Sequence, residues 1–175
     1  MSCAELRGQI EALLFASGDP LSAVKLSAIL DLPCEQVLFA ITELNRDMEK
    51  ADRGLTIVEV AGGYQLCTKP QLIHTVEKLA GVHESRLSAA AMETLAIVAF
   101  RQPVTKLEIE TIRGVKADRV VSTLMERGLI CETGRKEALG RPILYGTTAE
   151  FLKCFGLKHL EELPNLTAFD LSRQP

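Results

Sequence analysis

The stretch "QPVTKLEIETIRGVKADRVVSTLMER" (Gln102–Arg127) decides the fold, because an earlier part of the chain follows the same pattern. The stretch "DPLSAVKLSAILDLPCEQVLFAITEL" (Asp19–Leu44) aligns with it at an offset of 83 positions and without a gap. Its trio of proline, apolar residue and hydroxyl residue, 20–22, falls on the same trio at 103–105, and many apolar positions coincide from one end of the alignment to the other. Such a repeat predicts two copies of one structural unit.

Each copy has the signals of three successive helices. An apolar helix is predicted over residues 4–17 and again over 88–101, before the two quoted stretches. Ser22 and Thr105 suit the N-cap of a short second helix, because a hydroxyl can accept a hydrogen bond from an unpaired backbone N–H. An acidic residue then opens the third helix of each copy, where a negative charge favours the positive end of the helix dipole.

After the third helix, both copies show the pattern of a β-hairpin followed by a helix. In the first copy "LTIVEV" and "YQLCT" flank the turn residues 61–63, and "PQLIHTVEKL" resumes a helix. In the second copy "LICET" and "PILYGT" flank the loop of residues 134–140, and "AEFLKCF" resumes a helix that Thr148 caps. Pro142 suits the start of the returning strand, since a missing N–H matters least there.

Three helices followed by a hairpin is the element order of a winged helix-turn-helix. The sequence therefore predicts a mainly α fold with short β-hairpins (α+β), built as two tandem winged helix-turn-helix domains. We place the amino-terminal domain at residues 1–80 and the carboxy-terminal domain at 88–165, joined by a linker at 81–87. The tail 166–175 shows no periodicity and is expected to be mobile.

The composition fits a globular protein with an aliphatic core. Hydrophobic residues make up 47% of the 175 residues and charged residues 25%, while aromatic residues are scarce. No apolar run is long enough to cross a bilayer and no signal segment opens the chain, so we expect a cytoplasmic protein without a membrane partner. The five cysteines form no CxxC pair and the three histidines lie at no metal-ligand spacing, so the sequence predicts no metal, cofactor or disulfide framework.

The sequence contains none of the short motifs that mark common catalytic sites, such as GxxxxGK[ST], GxSxG, HExxH or GxGxxG. The glycine-rich loop "ETGRKEALGRPILYGTT" (Glu132–Thr148) resembles a phosphate cradle in composition, but neither a Lys-Ser/Thr pair nor a helix directly follows its glycines. It is better explained as the wing of the second domain. No catalytic residue is assigned, and we expect a protein that is not an enzyme.

Binding to DNA is a common function of winged helices, and the charge pattern supports it in part. The net charge is −3, and the third helix of the first domain carries few basic residues, each offset by acidic neighbours. The second domain is more basic. Its candidates for weak, sequence-independent DNA contact are Arg119, Arg135, Lys136 and Arg141, with Arg113, Lys116 and Arg127 beside them. A winged-helix DNA-binding transcriptional regulator is therefore the alternative hypothesis, and a solvated charged surface would explain the same residues.

The helices contain more apolar residues than the core of a domain of about 80 residues can hold. The segment "IEALLFASG" divides into two stripes, one with Ile10, Leu13 and Leu14 and the other with Phe15, and "AAAMETLAIVAF" is apolar nearly all round. Such a helix is either wholly buried or shared with another chain. The sequence therefore predicts a dimer contact, a partner segment or both, and packing of the two domains against each other is the alternative.

Three segments, "IEALLFASGDPLS", "ETLAIVAFRQPVTKLEIETIRGV" and "GRPILYGTTAEFLKCFGLKHLEELP", resemble the bacterial segregation and condensation protein B (ScpB) family over about residues 8–164. The resemblance implies a non-enzymatic, nucleoid-associated subunit of the SMC–ScpA–ScpB condensin complex, which condenses and segregates chromosomes. It also implies a homodimer, held mostly through the amino-terminal domain, that binds the kleisin ScpA and reaches SMC through it. DNA would be contacted only weakly or indirectly.

The resemblance further suggests two sets of partner contacts. The expected homodimer contacts are Ile10, Leu13, Leu14 and Phe15. The expected contacts with ScpA are Leu95, Val98, Phe100, Leu144 and Tyr145.

Overall fold

The computed structural model describes residues 2–80 and 87–164. The chain divides into two compact units, Met1–Glu84 and Ser85–Pro175, which we call the first and the second unit. Most of the predicted linker (81–87) and the whole predicted tail (166–175) lie outside the described residues. The domain limits that the sequence suggests therefore remain predictions.

The first unit consists of three helices, a β-hairpin and a closing helix, in the order that the sequence predicts. Its elements are α1 (Cys3–Ser17), α2 (Ala23–Leu30), α3 (Cys34–Met48), β1 (Leu55–Val60), β2 (Gly63–Thr68), a 3-10 turn (Pro70–Leu72) and α4 (Ile73–Ala80). The two strands pair antiparallel, from Leu55 with Thr68 to Val60 with Gly63. They form the wing of a winged helix-turn-helix.

Side-chain caps determine where the helices of the first unit begin. The Ser2 hydroxyl accepts a hydrogen bond from the N–H of Glu5, and the Glu5 carboxylate accepts one from the N–H of Ser2, so α1 begins with a capping box. The predicted cap at Ser22 is confirmed, because its hydroxyl accepts from the N–H of Lys25. Asp31 adopts a left-handed conformation that ends α2 and turns the chain toward α3.

The core of the first unit lies between α1, α2, α3 and the wing. The buried faces of α1 and α3 supply most of it: Leu6, Ile10, Leu14, Val37, Ala40, Ile41, Leu44 and Met48. Leu21 connects the wing to the helices through two backbone hydrogen bonds. Its N–H donates to the carbonyl of Tyr64, and its carbonyl accepts from the N–H of Tyr64, both at 2.9 Å. Gly63 allows this approach, since a Cβ there would lie 2.8 Å from the Leu21 carbonyl carbon.

The second unit repeats this order with a larger sheet. Its elements are α5 (Ala89–Arg101), β3 (Val104–Thr105), α6 (Lys106–Arg113), α7 (Asp118–Glu126), β4 (Ile130–Arg135), β5 (Ile143–Thr147), α8 (Ala149–Phe155) and a 3-10 turn (Leu160–Glu162). Strand β5 lies between β3 and β4, and both pairings are antiparallel. The pair of Val104 with Tyr145 matches the bridge of Leu21 with Tyr64 in the first unit.

The predicted caps of the second unit are confirmed. Thr105 forms a capping box with Glu108 at the start of α6, and the Thr148 hydroxyl accepts from the N–H of Phe151 at the start of α8. Helix α6 ends at Arg113, and the following Gly114 caps it with a φ of 72°, which costs glycine no steric strain.

In the wing of the second unit, the strands begin and end at residues other than those predicted. Strand β4 continues to Arg135, past the end of "LICET", and its register shifts between Glu132 and Gly134. The return strand begins at Ile143, one residue later than expected. Pro142 has no N–H to donate to the sheet, although its carbonyl accepts from the N–H of Lys136.

The predicted fold class is confirmed: a mainly α protein with short β-hairpins (α+β), arranged as two tandem winged helix-turn-helix units. Across residues 2–80 and 87–164, no helix is both long and apolar enough to span a membrane.

Candidate interaction surfaces

Five of the predicted partner contacts lie inside the units. The buried cores contain Ile10, Leu14, Leu95, Val98 and Tyr145. These side chains pack in the cores of the described units and have almost no accessible surface there. A partner role for them remains a prediction.

The other four predicted contacts keep accessible surface. Phe15, on the opposite stripe of α1, is 77% exposed. Leu13, Phe100 and Leu144 are half-buried, and Leu13 also packs against the first core. A partner role for these residues remains a prediction, and Phe15 has the largest unused apolar area of the four.

Helix α4 carries an apolar stripe that sequence reasoning missed. Leu72 of the preceding turn and Ile73, Val76 and Leu79 of the helix are all exposed, Leu79 by 90%. Their spacing places them on one face of the helix, and we call them the α4 stripe. The helical period of "QLIHTVEKL" contains this signal. A closing helix with one apolar face is, however, normally expected to pack on its own core.

A second apolar surface of the first unit is a groove between α1 and α3, with a volume of about 610 Å³. We call it the α1–α3 groove, and its lining includes Cys3, Leu6, Leu32, Glu35, Phe39 and Ala40. Leu6 and Ala40 are buried and form its floor, whereas Phe39 is 63% exposed. Glu35 adds a negative charge to the lining.

The second helices of both units expose apolar side chains at equivalent positions. Val24 and Leu107 occupy one position of the repeat and Ile29 and Ile112 another, and all four are exposed. Val115, in the turn after α6, is exposed as well. Since neither core uses these side chains, they are available for contact with other molecules.

Ion pairs occupy several basic side chains of the second unit. Lys136 Nζ donates to Glu108 Oε1 at 2.6 Å, and Lys106 pairs with Asp118. The hydrogen bond from Lys136, followed by those from Thr105, lowers the pKa of Glu108 from 4.5 to about 2. The hydrogen bond between Lys106 and Asp118 lowers the pKa of Asp118 and raises that of Lys106. Positive charge held in such pairs is less available to DNA phosphates.

The predicted DNA contacts differ in accessibility. Arg113 was expected on the DNA-facing side, but its side chain is only 6% exposed and its Nε donates to Glu93 at 3.1 Å. It is therefore a packing residue. The Arg135 guanidinium donates to the carbonyl of Arg141 at 3.1 Å and so helps to close the wing loop. Exposed candidates for DNA contact, still untested, are Arg119, Arg135, Lys136 and Arg141.

We searched the part of the chain that the structure describes for metal sites and for reactive cysteines. No group of three His, Cys, Asp or Glu side chains there could hold a metal ion, and all five cysteines are free. Burial raises the pKa of the Cys67 thiol, and burial followed by the nearby Glu150 raises that of Cys154. A thiol with a raised pKa stays protonated at neutral pH and is a weak nucleophile.

A family model described as "Segregation and condensation complex subunit ScpB" matches residues 8–166. The chain belongs to the ScpB family. Segregation and condensation protein B of Symbiobacterium thermophilum is 54% identical over 155 residues, which cover 89% of this chain and 71% of the relative. The Moorella thermoacetica protein of the same name is 53% identical over 161 residues, 92% of this chain and 83% of the relative. The predicted family membership is confirmed, and the chain is a ScpB-type subunit for chromosome segregation and condensation.

Two solved ScpB structures are also similar to the chain. The crystal structure of ScpB from Mycobacterium tuberculosis is 34% identical, covers 90% of this chain and 98% of its own, and has a TM-score of 0.44. A dimer of the ScpB N-terminal domain complexed with ScpA peptide is 34% identical, covers 43% of this chain and 95% of its own, and has a TM-score of 0.43. Membership of the ScpB family rests on the family model and the sequence relatives.

Proposed function

We propose that this ScpB-family subunit is a non-enzymatic adaptor: a homodimer that binds the kleisin ScpA, reaches SMC through ScpA, and supports chromosome condensation and segregation. The observation that carries the proposal is the apolar surface left outside the two cores, in the α4 stripe, in the α1–α3 groove and at the equivalent positions of α2 and α6. Monomeric proteins rarely expose several apolar patches, whereas the subunits of a complex cover them with partners.

The homodimer contact is assigned to the α4 stripe. A twofold dimer uses the same patch on both copies, so the patch must be complementary to itself. Val76 lies at the centre of the stripe, and Ile73 and Leu79 flank it three residues away on either side. Two antiparallel α4 helices that cross at Val76 would place Ile73 of each copy next to Leu79 of the other.

The second unit contributes a candidate contact with ScpA around the start of α6. Leu144 pairs with Thr105, the residue that caps α6, and the exposed Leu107 lies in the first turn of that helix. We propose that Leu144 and Leu107 contribute to one contact with ScpA. Phe100 remains a further candidate for the same partner.

A DNA-binding transcriptional regulator is the alternative function, and the ion pairs of the second unit support the adaptor instead. Lys136 and Lys106 are paired with carboxylates, and Arg113 is buried. Titration with duplex DNA at two salt concentrations separates the two functions. A regulator would keep a preference for one sequence at moderate salt, whereas the adaptor is expected to bind DNA weakly and without preference.

In the cell, this adaptor is expected at the nucleoid, in the cytoplasm, because its proposed partners act on the chromosome. Hydrolysis of ATP belongs to SMC in this proposal, so the purified chain is expected to hydrolyse none.

Size-exclusion chromatography with light scattering tests the adaptor function, on the chain alone and on its mixture with a purified central fragment of ScpA. We expect a dimer alone and a larger complex of both proteins in the mixture. A monomer that leaves the ScpA fragment unbound would contradict the proposal.

A further inference from the structure

We propose that the loop of the second wing, residues 136–142, enters the minor groove of duplex DNA, with Leu139 in the groove and Arg135 and Arg141 on the flanking phosphates. We call these residues the wing loop. The inference rests on the proposed function and deepens it, because it gives the weak DNA contact of the adaptor one place in the fold and one mode of binding.

The wing loop is longer than the scaffold requires. In the first unit, residues 61–62 are enough to connect β1 to β2, whereas residues 136–142 connect β4 to β5. The short turn of the first unit carries no charge, while three basic residues lie in or directly before the wing loop: Arg135, Lys136 and Arg141. Loop residues that a rigid scaffold does not need often carry a function.

Leu139 lies at the tip of the wing loop and is fully exposed to water. The loop holds it there with its own hydrogen bonds, because the N–H of Arg141 donates to the carbonyl of Ala138 at 2.9 Å. This bond closes a tight turn, in which Leu139 is the second residue and Gly140 the third, with a φ of 81°. A large apolar side chain held in water gains free energy when another molecule covers it.

Arg141 has an unusual backbone conformation for an arginine. Its φ is 41°, in the left-handed region that residues other than glycine adopt rarely. Glycine adopts this conformation without strain, whereas an arginine there costs free energy. Strained residues of this kind are concentrated at functional sites. The conformation therefore indicates a role for the Arg141 side chain that the turn itself does not require.

The two arginines on either side of Leu139 are available to anions. No carboxylate that the structure describes forms an ion pair with Arg135 or Arg141, whereas Lys136 is paired with Glu108. Arg135 Nη1 donates to the carbonyl of Arg141 at 3.1 Å, which fixes the guanidinium beside the loop and leaves its other N–H groups to bind. The tip of the wing therefore presents an aliphatic side chain between two positive charges.

This combination fits the minor groove of DNA. The groove is about 6 Å wide, so it admits the tip of a loop, and its negative potential attracts arginine. Proteins that bind there often place a leucine or another apolar side chain against the bases, with arginine and lysine around it. DNA is also the polyanion expected near a subunit for chromosome segregation and condensation. Two arginines neutralise few phosphates, so we expect weak, salt-sensitive binding without sequence preference.

Fluorescence anisotropy with a short labelled duplex as the probe tests the inference on the full chain, at several salt concentrations. Leu139→Ser is expected to raise the Kd severalfold and to leave its salt dependence unchanged, because no charge is removed. Arg141→Gly is expected to raise the Kd severalfold and to reduce the slope of log Kd against log salt by about one, because one phosphate contact is lost.

Each variant has a matched control outside the wing. Leu107→Ser removes another exposed leucine of the second unit, and Arg53→Gly removes an exposed loop arginine of the first unit. Both are expected to leave the Kd for the duplex unchanged. Thermal unfolding checks the fold of all four variants, and Arg141→Gly is expected to unfold at or above the temperature of the wild-type protein, since glycine suits the positive φ.

Competition with small ligands identifies the groove. A duplex with a central run of A·T pairs is saturated with netropsin, which occupies the minor groove, or with methyl green, which occupies the major groove. We expect netropsin to weaken the binding of the wild-type protein and methyl green to leave it unchanged. The opposite result would overturn the assignment to the minor groove.

The outcomes separate this inference from the proposed function. If the wild-type protein does not bind the duplex at low salt, or if both wing variants bind it as the wild type does, the inference is overturned and the adaptor function stands. If the wing variants weaken binding to the ScpA fragment but not to DNA, the loop is a contact with ScpA and the inference is also overturned. Loss of DNA binding by both variants, together with unchanged binding of the ScpA fragment, supports the inference.

Discussion

Arg113 occupies in the second unit the position that Leu30 occupies in the first, 83 residues earlier. Leu30 packs an apolar side chain against the first core. Arg113 is also buried, but its Nη1 has no hydrogen-bond partner among the described residues, although its Nε bonds to Glu93. A buried donor without a partner costs about 1–3 kcal/mol. The second unit therefore contains a local source of instability that the first unit avoids.

Arg113→Leu is expected to keep or raise the stability of the second unit, because it removes the unpaired donor and adopts the side chain of the first unit. Glu93→Ala is expected to lower the free energy of unfolding by about 1–3 kcal/mol, since it leaves the buried guanidinium without its carboxylate. Differential scanning calorimetry measures both effects. A large loss of stability in Arg113→Leu would show that the guanidinium stabilises the unit.

Glu108 makes the stability of the second unit depend on pH. Its pKa is about 2 in the folded chain against an ordinary value of 4.5. A carboxyl group with a lowered folded pKa stabilises the fold when ionised, and this contribution is complete above pH 4.5 and is lost as the pH falls from 4.5 toward 2. The hydrogen bond from Lys136 is the largest cause, so the loss follows from breaking the link between α6 and the wing.

Glu108→Gln removes the charge but keeps a side chain that also forms capping boxes. We expect this variant to be less stable by roughly 0.2–1 kcal/mol at pH 7 and to lose less stability than the wild-type protein as the pH falls through that range. Lys136→Met, which leaves Glu108 without its partner, is expected to flatten the pH profile in part. Thermal unfolding followed at successive pH values is the measurement, and parallel profiles for wild type and Glu108→Gln would contradict the assignment.

At the scale of the element, two glycines of the first unit differ in whether the fold has room for a Cβ at their position. Gly63 opens β2 where Leu21 approaches the strand, and a Cβ there would lie 2.8 Å from the Leu21 backbone. Gly8 lies in the middle of α1, and a Cβ there would meet nothing within 4 Å.

Gly63→Ala is expected to destabilise the first unit by about 1–3 kcal/mol, because the backbones of Leu21 and β2 must move apart and weaken the bridge to Tyr64. Gly8→Ala, the matched control, is expected to stabilise it by about 0.5–1 kcal/mol, since alanine loses less conformational freedom in a helix. Urea unfolding measures both. Stability changes of the same sign and size would show that the close approach at Gly63 does not matter.

The order of the elements and several helix starts were predictable because they depend on local signals. Ser22, Thr105 and Thr148 cap helices at the predicted positions, since each hydroxyl satisfies a backbone donor in the turn that follows it. The capping box of Ser2 and Glu5 was not predicted, although the spacing of the two residues is the usual sequence signal.

The division of apolar residues between core and surface was only partly predictable. On α1 the period separated Ile10 and Leu14 from Phe15, but it did not show which stripe faces the core. On α5 most positions are apolar, so the helical period does not show which face of the helix is buried. The burial of Leu95 and Val98 depends on α6, α7 and β5, which follow later in the chain.

At the scale of the whole molecule, the two units share one scaffold and differ in surface chemistry. Tyr64 and Tyr145 occupy equivalent places in the two wings and pair with Leu21 and Val104, the residues that follow the aligned prolines. Charge does not follow the repeat, because the first unit is the more acidic and the candidate DNA contacts lie in the second. A duplicated scaffold with different surfaces suits an adaptor whose two units bind different partners.

A single charged residue introduced into the α4 stripe tests the proposed dimer contact. Leu79→Lys places an ammonium group in the apolar contact that the proposed dimer buries, where it has no partner. We expect the Kd of dimerisation to rise at least tenfold, seen by light scattering as monomer at concentrations at which the wild-type protein is dimeric. Leu139→Lys makes the same change at a fully exposed position of the second wing and is expected to leave the dimer intact.

Cross-linking tests the geometry of the same contact. In an antiparallel pair of α4 helices that cross at Val76, this residue meets its own copy, whereas Ile73 meets Leu79. In a background whose five cysteines are replaced by serine, Val76→Cys is expected to form a disulfide-linked dimer on mild oxidation, and Leu79→Cys alone is not. A mixture of Ile73→Cys and Leu79→Cys proteins is expected to form the mixed dimer. In the proposed register, Val76 is the one residue of the stripe that meets its own copy. Self-linking of Leu79→Cys would therefore contradict this register. A dimer that Leu79→Lys leaves unchanged would place the contact on another surface.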